Sequence, residues 1–246
     1  MRAPHEPWRR LFLPLAALVC AACAHLGSAP PAVECGVVES EVAAAAAAWA
    51  GHPFAATVAL TGRHGVARQG GRAALLVAFP DRLHAELLDP LGTAQAVAIV
   101  NGRATATWSV ASGWRRDAPV GPLPASLLVY LPRLLLGLPD GAATCVPGAS
   151  PPRLVWEGVA EYRWDPGAGR LTEARLAGVT VHYRPTEPGG ARSDARSDEG
   201  TTFHPPDLDI TLGDGATVAV RWLELHGDPN LDPTLFTIPI PPPEVP

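Results

Sequence analysis

Between Phe54 and Val110 the chain falls into short apolar runs separated by Gly, Pro and Asn. The runs are "FAATVALTG", "RAALLVAF", "RLHAELL", "AQAVAIV" and "RATATWSV", and each reads as a strand. In "RLHAELL" the residues Leu83, Ala85 and Leu87 share one face, and Arg82, His84 and Glu86 share the other. That alternation predicts an antiparallel meander with one face to water. Asn101-Gly102 is a two-residue hairpin signal between the last two runs.

Helical patterns flank this meander. "SEVAAAAAAWAG" predicts a helix capped near Ser40 and stopped at Gly51, with an alanine surface suited to lying over another layer. The segment "GPLPASLLVYLPRLLLGLPD" breaks the period-2 pattern and predicts one or two short helices, with Pro132 ending or kinking the first. Leucines surround it almost completely, so it needs an apolar partner on every side. It is too short and too interrupted for a comfortable membrane span.

Strand patterns return in "RLVWEGVAEYRW", "RLTEARLAGVTVHY", "PDLDITLG" and "ATVAVRWLEL", with turns at "DPGAG", "AGV" and "GDGA". Residues 185–206 are charged, Gly- and Ser-containing and poor in apolar side chains, the composition of a solvated, mobile loop. The tail "LDPTLFTIPIPPPEVP" holds too much proline for regular structure, and either packs as an extended segment or trails off. The sum is one mainly β domain of the α+β class. About ten antiparallel strands carry a few helices on one face, as a layered arrangement or an open barrel.

The first residues read differently. Arg2, Arg9 and Arg10 precede the apolar run Leu11 to Val19, and Ala21-Ala22 then precede Cys23. That is the pattern of a secretory signal peptide, here residues 1–22. Two small residues directly before a cysteine resemble the lipobox of bacterial lipoproteins, which makes Cys23 the expected acylated N-terminus; the alternative is ordinary cleavage after Ala22 or Ala24. Residues 23–36 then form an anchor and Pro-rich tether, and residues 37–246 the domain. Ala24 lacks the acidic residue that retains lipoproteins at the inner membrane in the best-studied systems, so the resemblance implies a lipid-anchored outer-membrane protein facing the periplasm. Cys35 and Cys145 remain as the thiols of the processed chain, and in an oxidising compartment they either pair or stay as separate buried thiols.

Net charge is −5 with His neutral, and removal of the signal peptide makes it more negative. That balance argues against a nucleic-acid partner. The chain contains no lysine, which removes P-loop, Schiff-base and Ser-Lys chemistry. No GxSxG, HExxH or CxxC occurs in the processed chain, and no GxGxxG opens a helix. Glu157 and Glu161, read on one strand, fall with Val155, Val159 and Arg163 on a solvated face rather than forming an acid/base pair. The histidines show no ligand spacing. The reading is therefore a non-enzyme, with no metal and no cofactor.

The segments "RLHAELLDPLGTAQAVAIV", "LLLGLPDGA", "RLTEARLAGVTVHY" and "PPDLDITLGDGATVAVRWLEL", in that order after a lipobox, resemble the LolB-like outer-membrane lipoproteins, relatives of the periplasmic carrier LolA. The resemblance runs from about Phe54 to Leu225. It implies an unclosed antiparallel β-barrel with a helical lid over an apolar cavity. It also implies acceptance of the acyl chains of client lipoproteins from a LolA-type carrier, and their placement in the outer membrane.

The cavity candidates are Leu83, Leu87, Val97, Ile99, Leu127, Leu131, Leu135 and Trp222. Asp89-Pro90-Leu91-Gly92 has tight-turn chemistry with a large apolar residue at its tip, and matches the family loop whose exposed leucine is thought to reach the bilayer. Pro90 and Leu91 are thus the candidate membrane contact. The competing reading is a structural or assembly lipoprotein whose packed core binds a protein partner.

Overall fold

The computed structural model describes residues 34–120, 123–185, 192–193, 205–227 and 230–239. The signal peptide, Cys23, most of the tether and nearly all of the charged segment 185–206 lie outside these residues.

An N-terminal helix α1 (Cys35–Trp49) leads into a meander of β1 (Phe54–His64), β2 (Ala67–Ala78), β3 (Arg82–Leu88), β4 (Ala94–Asn101), β5 (Ala104–Ser109) and β6 (Gly113–Arg116). Two single-turn helices follow, α2 (Ala125–Leu128) and α3 (Leu131–Leu134). The second half of the sheet contains β7 (Thr144–Val146), β8 (Arg153–Trp156), β9 (Ala160–Asp165), β10 (Arg170–Leu176), β11 (Val179–Arg184), β13 (Asp207–Thr211) and β14 (Thr217–Gly227). A two-residue β12 (Arg192–Ser193) pairs in parallel with β14.

The remaining strands form one antiparallel path, β6-β5-β4-β3-β2-β1-β14-β13-β11-β10-β9-β8-β7. Its ends, β6 and β7, do not pair with each other, so the sheet curves without closing. Register shifts at Thr57/Val58, Leu87/Leu88 and Leu171/Glu173 are where extra residues add local twist and bend.

The strand count exceeds the ten expected because short strands escaped the periodicity. "RLVWEGVAEYRW" is two strands, β8 and β9, around a turn at Glu157-Gly158, so Glu157 and Glu161 do not share one strand. Glu161 instead pairs with Arg153 across the β8–β9 hairpin at 3.3 Å. The outer face of the second half is ionic: Glu173 meets Arg175 and Arg163, and Arg221 meets Asp209 and Asp207.

The inner face is apolar along most of the path; at β5 it carries buried Thr105 and Thr107, level with Val100 and Ala98. Phe54, Ala56 and Val58 stand level with Val77, Leu75 and Ala73, and Val77 with Leu83. On the other side Val220 pairs with Leu208, Leu208 with Tyr183, and Ala174 with Tyr162. These residues of β1–β3, β9–β11, β13 and β14 belong to one buried cluster that also takes in the α2–α3 leucines and Val38 and Trp49 of α1.

α1 begins five residues before Ser40, at Cys35, and Ser40 Oγ donates back to the Val37 carbonyl instead of capping. A disulfide to Cys145 in β7 holds that end of the helix. Glu41 accepts a hydrogen bond from Trp164 Nε1 at 2.9 Å, and Trp49 packs on Phe54 with ring centroids 5.4 Å apart. The helix is thereby tied to β7, β9 and β1.

Two tyrosines sit in the same core. Burial pushes the Tyr162 phenol up to about 12, against the opposing hydrogen bond from the Asp140 backbone. Burial also pushes Tyr183 well above its ordinary value, and its hydroxyl has no hydrogen-bond partner.

Two expectations follow. The Cys35–Cys145 bridge spans a sequence separation of 110, long enough to remove roughly 4–5 kcal/mol of unfolded-chain entropy. Cys35→Ser is expected to lower the melting temperature by on the order of 10 °C, read by circular dichroism; an unchanged midpoint would refute it. The tyrosines predict alkaline instability. Unfolded tyrosine ionises near pH ~10, and folded Tyr162 only near about 12, so the unfolded state loses protons first. Stability is therefore intact below pH ~10 and falls as pH rises toward ~12. Urea midpoints across that window check it.

Candidate functional site

The candidate site is the concave face and what covers it. Leu127, Leu128, Leu134, Leu135, Leu136 and Leu138 are all buried, and so is Pro132 at the start of α3. The segment is apolar on all sides because it is enclosed on all sides. It is pinned at several points. Arg133 lies 5.0 Å over the Phe79 ring and donates to the Pro139 carbonyl. Tyr130 meets Trp156 edge-on, and the Gly137 carbonyl accepts from the Leu171 amide at 2.9 Å. Gly137 has φ +68°, and a Cβ there would come within 3.0 Å of Pro206. Only glycine lets the leucine segment pass that close to the start of β13.

The interior is close-packed around several of these residues. Leu83, Leu127, Trp164 and Leu171 are 0% exposed, so no water-sized void touches them. Trp222 is buried against Phe54, with its Nε1 donating to the Pro206 carbonyl at 2.7 Å. The leucines occupy the space that an apolar ligand would need. Among the described residues the buried Tyr183 hydroxyl has no hydrogen-bond partner, a cost of about 1–3 kcal/mol.

The expected cavity residues fall into three positions. Leu83, Leu127, Leu131, Leu135 and Trp222 come together in the interior cluster. Leu87 shares the face of Leu83 but is 37% exposed, at the margin where β3 runs toward its turn. Its Cδ1 lies 3.5 Å from where a Gly71 side chain would begin, so the glycine in β2 leaves room for it. With half-buried Leu60, it makes an apolar approach to the interior at that end.

Val97 and Ile99 do not line the interior. They stand opposite Glu86 and His84, on the convex face, while their neighbours Ala98 and Val100 point inward. The cover for that outer patch is the tail. A 3-10 turn (Pro233–Phe236) lies over β3 and β4, with Phe236 buried. His84 Nδ1 meets the Leu235 carbonyl at 2.8 Å, and Asn101 donates to the Phe236 carbonyl at 3.2 Å. With Ala96, Val97, Ala98, Ile99 and Val100 in succession, β4 is apolar on both faces, and alternation alone does not reveal that the proline-rich tail covers one of them.

The Asp89–Gly92 turn is built as its composition predicts. The Gly92 amide donates to the Asp89 carbonyl, and Asp89 Oδ1 accepts from the amides of Leu91 and Thr93 at 2.8 and 2.9 Å. Gly92 takes φ +84°, and Leu91 is left 91% exposed. It does not fold back onto its hairpin.

Among the described residues no group of His, Cys, Asp or Glu side chains is arranged to hold a metal ion, and no helix is long and apolar enough to cross a membrane. One open cleft of about 570 Å³ lies elsewhere, between His52, Phe79, Arg82 and the tail, and is lined by polar as well as apolar groups.

No family model matches the sequence, and no curated protein matches it. Solved structures do match in fold. A LolA superfamily protein from Nitrosomonas europaea superposes with a TM-score of 0.54 at 12% identity, covering 83% of this chain and 98% of that one. A domain described as an outer-membrane lipoprotein-sorting protein, from Vibrio parahaemolyticus, gives 0.52 at 11% identity over 81% and 94% of the two chains. The fold of this chain, an unclosed antiparallel sheet with helices against its concave face, is that of LolA-superfamily and lipoprotein-sorting proteins.

Proposed function

We propose that this chain is an outer-membrane-anchored lipoprotein that takes acyl chains of lipoproteins against its concave face and assists their insertion into the membrane. The observation that carries this reading is the leucine segment of α2 and α3, held as a plug inside an unclosed apolar sheet. A plug of that kind can be exchanged for hydrocarbon of similar volume with little net change in buried area. The fold likeness to lipoprotein-sorting proteins supports the same reading. So does the exposed Leu87 margin, which leads to the plug from the end that bears Leu91. Cys23 is the proposed acylation site, and the donor of clients would be a LolA-type carrier.

A second reading has its own support. Close packing around Leu83, Leu127, Trp164 and Leu171 suits a structural lipoprotein that binds a protein partner and no lipid.

Native mass spectrometry separates the two. The chain begun at Ala24 keeps every described residue. It is expected to take up a triacylated lipopeptide saturably and in a defined stoichiometry; absence of uptake at any lipopeptide concentration favours the packed-core reading. For Leu91, the Leu91→Glu variant is expected to keep its melting temperature, because the side chain stands in water. It should also keep lipopeptide uptake while transferring cargo to liposomes at least about tenfold more slowly. A collapse of stability instead would show that Leu91 is a packing residue.

A further inference from the structure

Leu91 is one of three apolar tips. In the antiparallel meander the β1–β2, β3–β4 and β5–β6 turns all lie at the same end of the sheet. Each carries one large apolar residue in water: Val66 at 106%, Leu91 at 91% and Val110 at 68%. The turns at the opposite end, Phe79–Asp81 and Gly102–Arg103, present no such residue; Phe79 is half-buried under Arg133.

Arginines stand at both ends of the meander: Arg82 and Arg103 are exposed at the opposite end, in turns that also hold the exposed Asp81. Arg63 and Arg68 face each other across the β1–β2 hairpin just below Val66, and Arg72 stands level with Leu88 below Leu91. All three are exposed, and none has an ion-pair partner among the described residues. Asp89, the carboxylate nearest the tips in sequence, accepts from two amides within its own turn, which orients it toward the turn backbone. The second half of the sheet ends differently on this side: its turns expose Glu157, Ala177 and Asp214. A chain with a net negative charge thus sets three exposed arginines beside its apolar tips.

A tryptophan pair completes the arrangement. Trp108 and Trp114 are register partners in the hairpin that ends at Val110, and both are half-buried. Indoles with an apolar body and a polar edge favour the boundary between water and hydrocarbon.

We infer that Val66, Leu91 and Val110 form one docking rim that inserts into a lipid bilayer, with Arg63, Arg68 and Arg72 holding anionic headgroups beside it. Separate projecting tips with no groove between them fit a fluid interface, and cations beside apolar tips fit an anionic one. The inference uses the proposed function only for the place of Leu91, and extends the contact to two further hairpins and to a headgroup charge. The rim faces the end where Leu87 opens toward the interior, so a chain leaving the plug region would emerge at the bilayer.

The test is flotation of the chain begun at Ala24 with phosphatidylcholine vesicles, with and without phosphatidylglycerol. Binding is expected to require phosphatidylglycerol and to weaken with salt. Val66→Ser and Val110→Ser should each lower partitioning about five- to tenfold. Arg63→Gln, Arg68→Gln and Arg72→Gln should each lower it about fivefold on anionic vesicles and leave the zwitterionic baseline unmoved. Val37→Ser, an exposed valine of α1 away from the rim, is expected to change nothing.

Vesicle binding indifferent to the tip and arginine variants overturns the rim. So does a self-association that Val66→Ser abolishes in a chain with no affinity for vesicles. Lipopeptide uptake, measured on the same samples, keeps the two claims apart. Rim-dependent binding without uptake removes the acyl-chain reading alone, and uptake with rim-independent binding removes the rim alone.

Discussion

A sheet that curves without closing has an apolar concave face that cannot be left to water. The architecture of this chain answers that constraint. A closed barrel would bury the face with its own wall, but here β6 and β7 remain apart. The cover must therefore come from elsewhere in the chain. It comes from α1, crossing from the β7–β9 side to β1, and from the α2–α3 leucines inside. The helix has few large side chains of its own, since its middle is a run of alanines. Covalent and polar ties compensate: the Cys35–Cys145 bridge and the Glu41–Trp164 hydrogen bond at one end, and Trp49 stacking on Phe54 at the other. A weakly apolar helix held at both ends can cover a face without being deeply buried in it.

Much of this was legible in the sequence wherever local chemistry and global packing agree. Asn101-Gly102, Asp89-Pro90-Leu91-Gly92 and the Ala177-Gly178 turn state their hairpins directly, and the meander order follows from them. The leucine segment announced its enclosure by having no polar side. The failures have physical causes. β4 is apolar on both faces, so alternation could not tell that Val97 and Ile99 point outward; the deciding partner is the tail around Phe236, which is distant in sequence. Glu157 looked like a strand residue because a two-strand hairpin with a short turn preserves apparent alternation across the turn. Spacing left Cys35 and Cys145 open, because pairing depends on where α1 and β7 meet.

The packed interior bears on how an acyl chain would be accommodated. On the proposed reading, ligand and leucine plug compete for the same apolar volume. Burying hydrocarbon while exposing leucine conserves most of the apolar area removed from water, so the net free energy of exchange is small compared with either term. Modest affinity suits a protein that must release what it accepts. The plug's anchors set the remaining cost of displacement: Arg133 over Phe79, Tyr130 against Trp156, and the Gly137–Leu171 hydrogen bond. The unpartnered Tyr183 hydroxyl lies in the same core, where a carbonyl brought in with an acyl chain would supply the missing acceptor.

Presentation of Leu91 depends on the acid beside it. With Oδ1 accepting from two amides and Oδ2 taking the Gln95 side chain at 3.3 Å, Asp89 fixes the turn so that the leucine points away from the sheet. A flexible tip would have folded back to bury its side chain against neighbouring strands, a gain of about 1–2 kcal/mol. The turn geometry withholds that gain. Exposure at this position is thus imposed by the backbone rather than tolerated by it. The β1–β2 and β5–β6 turns end at the same side of the sheet with Val66 and Val110 also exposed, so on the proposed reading only something outside the chain can cover these apolar tips.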